Sequence, residues 1–518
     1  LERKFAFVKL LREDEFPDRT LTSRYRFVHL LYQNALYATL RPTRRAGLSA
    51  AVAQALLGFY GKRGEEVAAQ LASLFEAARD FSRATDFYLL AARGAARVCA
   101  NREAVVLARH GLDTLRALPE SVERDQRELR LQIIQGISLM TTQGYASPEI
   151  EETYERAREL CRRLGDSVKL LTVLAVLGGF CSVRAEHEAA YEMARQLLPL
   201  AEQGPDATQL TEAHWALGAT ETDLGRFDSA LDNFRKGIAY CKSQPRASRP
   251  LDSAHDPGVR CLAYGARGLW FLGYAEQSQV MLDEALAAAE EIANPHTLNF
   301  AFMIATYIYQ YGYETEKTLA WADKALALSR EHGFDYLKAL MKIARGWALA
   351  RLGQSAEGIE CLRRGLAAYK ATGAGVGVPH FYVLLAETQL RQEPAQEGLA
   401  TLDQALALVH KTKEAYYEAE VHRVRGELLL KRDLEMPGAT PDAQAEAEDC
   451  FRQAASVARG QRAKFFELRA ATSLAGLWRR QGRAAQAHAM LSESYGWFTE
   501  GFDAPDLKEA KALLDSLV

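Results

Sequence analysis

A short glycine-rich segment is the part of this sequence closest to a phosphate-binding loop. A Walker A loop needs the pattern GxxxxGK[ST], in which glycines let backbone N–H groups cradle phosphates and the hydroxyl reaches Mg²⁺. Residues 58–64 read GFYGKRG, which has the wrong spacing and lacks the hydroxyl. We therefore expect no ATPase core within this sequence.

Histidine and cysteine placement gives no other catalytic or metal-binding pattern. His187 stands between Glu186 and Glu188, but no second histidine lies nearby, and neither HExxH nor GxSxG occurs. The seven cysteines contain no CxxC pair, so no zinc or redox motif can be identified. We expect no catalytic residue, no metal and no cofactor, and hence a protein that is not an enzyme.

Composition limits the classes of partner. The 518 residues carry 64 Lys and Arg against 67 Asp and Glu, a formal charge of −3, which gives no electrostatic reason to expect nucleic acid. No apolar run reaches the length of a membrane span. The dispersed cysteines are typical of a reducing compartment. These features predict a cytoplasmic protein whose partners are neither nucleic acid nor membrane.

An internal repeat indicates the fold. A small residue is followed by a bulky one four positions later and a small one three after that, as in Ala230–Phe234–Gly237. This spacing lies on one face of a helix. The first members fall at 190, 230, 278, 318, 358, 398, 447 and 487, and a glycine such as Gly225 often stands five residues earlier. The pattern predicts pairs of helices joined by glycine turns, about 40 residues apart.

These positions match the tetratricopeptide signature, which residues 217–234, LGATETDLGRFDSALDNF, resemble closely despite the family's 34-residue period. We predict an all-α fold, a right-handed α-solenoid of tetratricopeptide-like helix pairs. The proline- and glycine-rich segments 243–258 and 432–443 are predicted to be loops.

Residues 1–45 depart from the repeat. Residues 5–11 read as a short helix, 13–18 as a turn, 20–27 as a strand and 29–40 as a helix, an order that resembles the end of a winged-helix module. We predict four regions: 1–45, the winged-helix-like end of an upstream ATPase module; 46–120, a helical linker with the first tetratricopeptide-like helices; 121–503, the superhelix; and 504–518, a C-terminal capping helix.

Several longer stretches resemble one bacterial family. They are YRFVHLLYQNALYATLRPTRRAGL (25–48), AAQLASLFEAARDFSRATDFYLLAARGA (68–95) and WFTEGFDAPDLKEAKALL (497–514). They resemble the C-terminal region of signalling proteins that join an AAA-type STAND ATPase to tetratricopeptide repeats, often with an adenylate/guanylate cyclase or a transcriptional regulator domain. The resemblance implies a sensor that holds a linked ATPase off until a protein, a peptide or a small-molecule inducer binds. Because the sequence starts at Leu1 rather than Met, we expect a fragment of a longer protein, with something missing upstream.

The same resemblance implies roles for individual residues. His29, in Phe27-Val-His, matches a histidine that touches the phosphates of bound ADP, although a capping or packing role is the alternative. In the family, inner-helix positions beside the small residue face the concave groove, where aromatic and arginine side chains dominate binding. The corresponding residues are Trp215, Arg267, Trp270, Met303, Tyr307, Trp347, Glu387 and Arg423.

Three alternatives remain at this point, one for the groove residues and two for the function. Some of the groove residues could instead belong to the core, because these helices are longer than the family norm. The protein could also be a free-standing scaffold that binds a peptide or protein, or, more remotely, a solenoid enzyme with a small-molecule substrate.

Overall fold

The computed structural model describes residues 7–143, 147–204, 206–243, 255–392, 394–435 and 442–517. The chain forms two compact units. Unit 1 comprises residues 1–139 and 152–166, and unit 2 comprises residues 140–151 and 167–518. The four regions expected from the sequence, with boundaries at 45, 120 and 503, stay a prediction.

Unit 1 begins with an antiparallel hairpin of β1 (Val8–Glu15) and β2 (Leu21–Phe27), in which Val8 pairs with Phe27. The strand predicted over 20–27 is therefore present. The short helix predicted over 5–11 is wrong for its described part, because residues 8–11 belong to β1. A helix of seven residues is marginal on its own, whereas a neighbouring strand supplies partners for every second backbone group.

The helices that follow are α1 (Leu30–Thr39), α2 (Pro42–Tyr60), a 3₁₀ helix (Gly61–Val67), α3 (Ala68–Ala77), α4 (Phe81–Arg97), α5 (Asn101–Leu115), α6 (Val122–Gln143) and α7 (Pro148–Leu164). Unit 2 continues with α8 (Ser167–Val183), α9 (His187–Ala201), α10 (Ala207–Asp223), α11 (Phe227–Lys242), α12 (Pro257–Phe271), α13 (Ala275–Ile292), α14 (Pro295–Tyr311) and α15 (Thr315–His332). It ends with α16 (Asp335–Arg351), α17 (Ser355–Ala371), α18 (Val378–Gln392), α19 (Ala395–Thr412), α20 (Glu418–Glu435), α21 (Ala443–Gly460), α22 (Lys464–Arg480), α23 (Ala484–Gly496) and α24 (Pro505–Asp515).

The fold class is confirmed: the described chain is an all-α solenoid of tetratricopeptide-like helix pairs. The second helices of the pairs from α9 to α19 begin at 187, 227, 275, 315, 355 and 395, mostly about 40 residues apart. Residues 244–254 and 436–441 of the predicted loops 243–258 and 432–443 lie outside the described residues. The loop prediction is wrong for residues 257–258 and 432–435, which belong to helices. The helices on either side of these two segments end at Lys242 and Glu435 and resume at Pro257 and Ala443.

Small residues let the two helices of a pair touch through their backbones. A Cβ atom on Gly346 of α16 would lie 2.5 Å from the backbone nitrogen of Leu362, and one on Gly358 of α17 would lie 2.5 Å from that of Ala350. The turn between these helices contains Gly353 with φ of +93°, a conformation that other residues rarely adopt. The repeated small residues are therefore required by packing.

Unit 2 differs from an extended solenoid, in which each repeat contacts only its neighbours. The backbone nitrogen of Gly375 donates to the carbonyl of Val183 at 2.8 Å, and that of Ala415 donates to the carbonyl of Asp223 at 2.8 Å. The Glu500 carboxylate accepts from the first backbone amides of α13, at 3.0 and 3.2 Å. We call these three the return contacts, because each joins helix pairs about five pairs apart.

The last helix, α24, packs on α22 and α23. Its inward residues Leu507, Ala510 and Leu514 are buried, and Pro505 lies in its first turn. Its role as a capping helix of the repeat array stays a prediction.

We predict that Gly346→Ala destabilises the protein by about 1–3 kcal/mol, because the new methyl group meets backbone atoms that cannot rotate away. Urea unfolding followed by circular dichroism measures the change. Gly476→Ala in α22 is the matched control, since nothing lies within 4 Å of its Cβ position. It should be neutral or stabilising by up to about 1 kcal/mol. Equal stability of both variants would contradict the close contact.

Candidate functional site

The residues predicted to line a groove all lie on the first helices of the pairs in unit 2, namely α10, α12, α14, α16, α18 and α20. These helices are buried on nearly every side: only Tyr264 of the fifteen residues of α12 is not buried. A helix that is covered all round presents no open face. Around α12, the inner side of unit 2 is therefore occupied by other parts of the chain.

The aromatic residues of this interior contact rings from the other side of it. Trp270 of α12 is 4% exposed and stacks on Phe465 of α22, with ring centroids 4.9 Å apart. Trp347 is completely buried, and Met303 and Tyr307 are buried as well. The structure thus places these four residues in the core, the alternative that the sequence left open. Their role in partner binding stays a prediction.

Glu387 and Arg423 join a buried polar cluster. The Glu387 carboxylate accepts from the Tyr313 hydroxyl at 2.6 Å, from Trp347 Nε1 at 3.1 Å and from Arg423 Nη2 at 3.2 Å. Arg423 also donates twice to Glu420, at 2.8 and 2.9 Å. Five side chains from α16, α18, α20 and the turn after α14 therefore satisfy one another.

A chain of ion pairs extends this cluster to Asp506 in α24. Glu420 also accepts from Arg469 Nη1 at 3.3 Å, and Arg469 pairs with Asp506 at 2.8 and 2.9 Å while it donates to the carbonyl of Tyr311. Burial would raise the pKa of Glu420, but the guanidinium groups of Arg423 and Arg469 outweigh it and hold that pKa below its usual value. Removing one partner from such a buried chain costs about 3–5 kcal/mol.

A second buried cluster, the His187 latch, consists of His187, Asp223 and Glu414. His187 Nε2 lies 3.3 Å from Glu414 Oε2, and its Nδ1 lies 3.7 Å from Asp223 Oδ2. Both oxygens of Glu414 accept from the backbone nitrogen of Gly377, at 3.0 and 3.1 Å. The latch therefore ties the start of α9 and the end of α10 to the loops on either side of α18 and α19.

Burial is the largest single influence on the pKa values of Asp223 and His187 in the latch. Loss of hydration raises the pKa of Asp223 to about 6, although His187, Arg267 and a hydrogen bond from Ser182 oppose the rise. Burial would lower the pKa of His187, but Glu414 and Asp223 outweigh it and raise the pKa above its ordinary value. Sequence reasoning missed this site, because His187 and Glu414 are 227 residues apart. The only local signal was an acid-flanked histidine at a helix start.

The two remaining groove residues differ in exposure. The Arg267 guanidinium is buried and lies 4.4 Å from the centroid of the Tyr416 ring, and its Nε finds no hydrogen-bond partner among the described residues. Trp215 is half-buried, and the Arg260 guanidinium lies 3.8 Å from its ring centroid. Trp215 is thus the predicted groove residue with the most accessible ring.

In unit 1, His29 is the N-cap of α1, and its Nδ1 accepts from the backbone nitrogen of Leu31 at 3.1 Å. This is the capping role named as the alternative, while contact with nucleotide stays a prediction. Helix α1 has no buried residue, and Leu30 and Leu31 are about two-thirds exposed.

Over the ranges that the structure describes, no group of three or more His, Cys, Asp or Glu residues is arranged to hold a metal ion. In the same part of the chain, every helix is too short or too polar to span a membrane.

Comparison with known proteins places the chain in no defined family. It matches no protein-family profile. An uncharacterised protein of Rhizobium meliloti (strain 1021) is 26% identical over 452 residues, which cover 85% of this chain. The matched stretch is 42% of that protein, so the chain spans less than half the length of this relative.

The similar solved structures include helical repeat proteins of several kinds. The Cut9–Hcn1 hetero-tetramer of APC/C has a TM-score of 0.48 at 14% identity, covering 94% of this chain and 86% of the other. A Rap protein complexed with competence and sporulation factor has a TM-score of 0.45 at 14% identity, covering 79% of this chain and 99% of the other. A STAND protein with a tetratricopeptide repeat sensor from Pyrococcus horikoshii has a TM-score of 0.38 at 14% identity, covering 92% of this chain and 75% of the other. All three values lie below 0.5, so this similarity assigns no function.

We predict that Trp270→Ala and Trp347→Ala each destabilise unit 2 by about 3–5 kcal/mol, because each leaves a large cavity in a packed interior. Thermal and urea unfolding measure the effect. Trp321→Ala is the control, since Trp321 of α15 is only partly buried and should cost less. Two folded variants as stable as the wild type would show that the tryptophan side chains do not fill the interior.

We further predict a pH effect at the latch. Since the folded pKa of Asp223 is raised to about 6, its stabilising contribution is complete below about pH 4 and is lost as the pH rises through 6. This loss lowers the free energy of unfolding as the pH rises, and in Asp223→Asn the fall should be smaller than in the wild type by about 1–3 kcal/mol. Unfolding free energies at pH 4.5 and 7.5 test it, with the exposed Asp449→Asn as control. Parallel pH profiles for wild type and Asp223→Asn would refute the assignment.

Proposed function

We propose that this chain is the sensor of a STAND-type signalling ATPase, and that it detects a protein or peptide partner by exchanging its own interior contacts for contacts with that partner. The observation that carries the proposal is the buried ion-pair chain through Glu387, Arg423, Glu420, Arg469 and Asp506. It holds together helices that belong to separate pairs.

The buried charges of this interior lower the free-energy cost of opening it. Apolar residues of similar volume often stabilise a core as well as buried ion pairs do, or better. Charged side chains recover their hydration when they are exposed, whereas an apolar interior would not. Opening the return contacts would therefore expose arginines and carboxylates at a lower cost than opening an apolar core of the same size.

The residues that would become accessible suit a binding partner. Trp270, Tyr307 and Trp347 are large aromatic side chains, and Arg267 and Arg423 carry guanidinium groups. Tryptophan, tyrosine and arginine are the residues that dominate binding energy in protein interfaces. A partner with aromatic and acidic side chains could replace the contacts that these five residues now make within the chain.

The link to an ATPase rests on the stretches 25–48 and 68–95, which resemble the corresponding region of STAND proteins. The exposed leucines of α1 are consistent with an adjoining domain, and His29 is proposed to face its nucleotide. The relative in Rhizobium meliloti extends well beyond the shared stretch, so that protein has room for such a domain.

A disulfide across a return contact tests the proposal. A Cβ atom on Gly375 would lie 3.3 Å from the Cβ of Ala185, close to the 3.5–4.5 Å that a disulfide requires. It would also lie 2.9 Å from the carbonyl oxygen of Arg184, so that atom must shift slightly. Ala185→Cys/Gly375→Cys should therefore form a bond that holds unit 2 closed.

We predict that the oxidised double variant retains its helical content but captures partner protein from cell extract at least tenfold less than its reduced form. Quantitative mass spectrometry of the captured proteins measures the ratio. Ala185→Cys alone, treated with the same oxidant, controls for oxidation of the seven native cysteines, which form no disulfides. Equal capture by the oxidised and reduced double variants would refute opening as the mode of binding.

A further inference from the structure

A cleft of about 890 Å³ lies where distant helix pairs of unit 2 meet. One wall is the segment 184–189 at the start of α9, and the other is formed by 370–382 and 404–413 around α18 and α19. Small-molecule sites have volumes of about 300–1,000 Å³, so this cleft has the size of a ligand site. It lies apart from the aromatic and ion-pair clusters described above.

The cleft carries an excess of positive charge. Lys370, Lys411 and Lys413 line it, and none of the three pairs with a carboxylate within the described ranges. Lys370 Nζ instead donates to the Tyr382 hydroxyl at 2.5 Å. The fourth cation, Arg184, is held by Glu186 at 3.0 Å, and Glu188 also lines the cleft, so four cations face two carboxylates. Three ammonium groups from two helix pairs are therefore available to an anion, in a chain whose formal charge is −3.

Backbone groups and apolar surface complete the lining. Residues 187–189, the first turn of α9, border the cleft, and no described side chain caps this helix start, although Glu188 lies in its first turn. The unsatisfied amides of a helix start attract anions. Ala374, Val378 and Leu408 supply an apolar part of the wall. The site therefore combines a cationic rim with a surface on which the body of a small molecule could rest.

The cleft exists only while unit 2 is closed. Its two walls are joined by hydrogen bonds from the backbone nitrogens of Gly375 and Val376 to the carbonyl of Val183, at 2.8 and 3.0 Å. The His187 latch lies beside them, since His187 also borders the cleft. If these contacts separate, the lysines of one wall move away from the helix start of the other, and the site is lost.

We propose that this cleft binds a small polyanion, a molecule with several phosphate or carboxylate groups, and that its binding holds unit 2 closed. A ligand that binds only one of two states stabilises that state in proportion to its concentration relative to Kd. The polyanion would therefore oppose opening. The anion site does not depend on the proposed function, because it requires neither a protein partner nor a linked ATPase. The coupling to closure shares with the proposed function only the opening of unit 2.

Inorganic tripolyphosphate is the probe for the test, with citrate as a second arm that separates phosphate from carboxylate recognition. Isothermal titration at constant ionic strength measures Kd for the whole chain. Lys411→Ala/Lys413→Ala should weaken tripolyphosphate binding at least tenfold. The matched control, Lys236→Ala/Lys324→Ala, removes two exposed lysines outside the cleft and should bind like the wild type. Equal Kd values for both double variants would overturn the site.

Hydrogen exchange tests the closure. Tripolyphosphate should slow exchange of the Gly375 and Val376 amides in the wild type, with no effect in Lys411→Ala/Lys413→Ala. Binding without slower exchange would overturn the coupling to closure. The oxidised Ala185→Cys/Gly375→Cys variant should bind tripolyphosphate at least as tightly as the wild type. Because that measurement contains no partner protein, failure of the anion site and failure of the proposed function can be told apart.

Discussion

The return contacts determine the character of unit 2. Helix pairs alone would form an array in which each member touches only its neighbours. Here the carbonyl of Asp223 accepts from the backbone nitrogen of Ala415, and the carbonyl of Val183 accepts from that of Gly375. Once these bonds bring distant pairs together, the inner helices have no solvent beside them. The burial of tryptophans, the ion-pair chain and the cationic cleft all follow from this closure.

The helix pairs could be predicted from the sequence, whereas the closure could not. The i, i+4, i+7 spacing of small and bulky residues reports contacts between helices adjacent in the chain, such as Gly346 against Leu362. Two of the three return contacts join backbone groups, which carry no residue signature, and the third joins the Glu500 carboxylate to backbone amides more than 220 residues away. The latch pairs His187 with a carboxylate 227 residues away. Only the three-dimensional path of the chain shows that these groups meet.

The same limit explains the interpretation of the groove. Trp270 and Trp347 are predicted at the positions that face inward in a tetratricopeptide pair, and the structure buries both side chains. Whether an inner face is open depends on how tightly the pairs wind, which a repeat pattern does not encode. Glu387 and Arg423 show the consequence, because their charges are satisfied within the chain rather than by solvent.

The return contacts also constrain how such a protein can change during evolution. An open repeat array can gain or lose a unit near its middle, since every new interface resembles the old ones. In unit 2, a helix pair added between α10 and α20 would move Ala415 away from Asp223. A residue of another pair would then stand where Ala415 now donates its hydrogen bond. The number of repeats between the two ends of a return contact is therefore fixed. The array can therefore vary by substitution or by gain of helix pairs at its termini, but not by insertion of a pair between the two ends of a return contact.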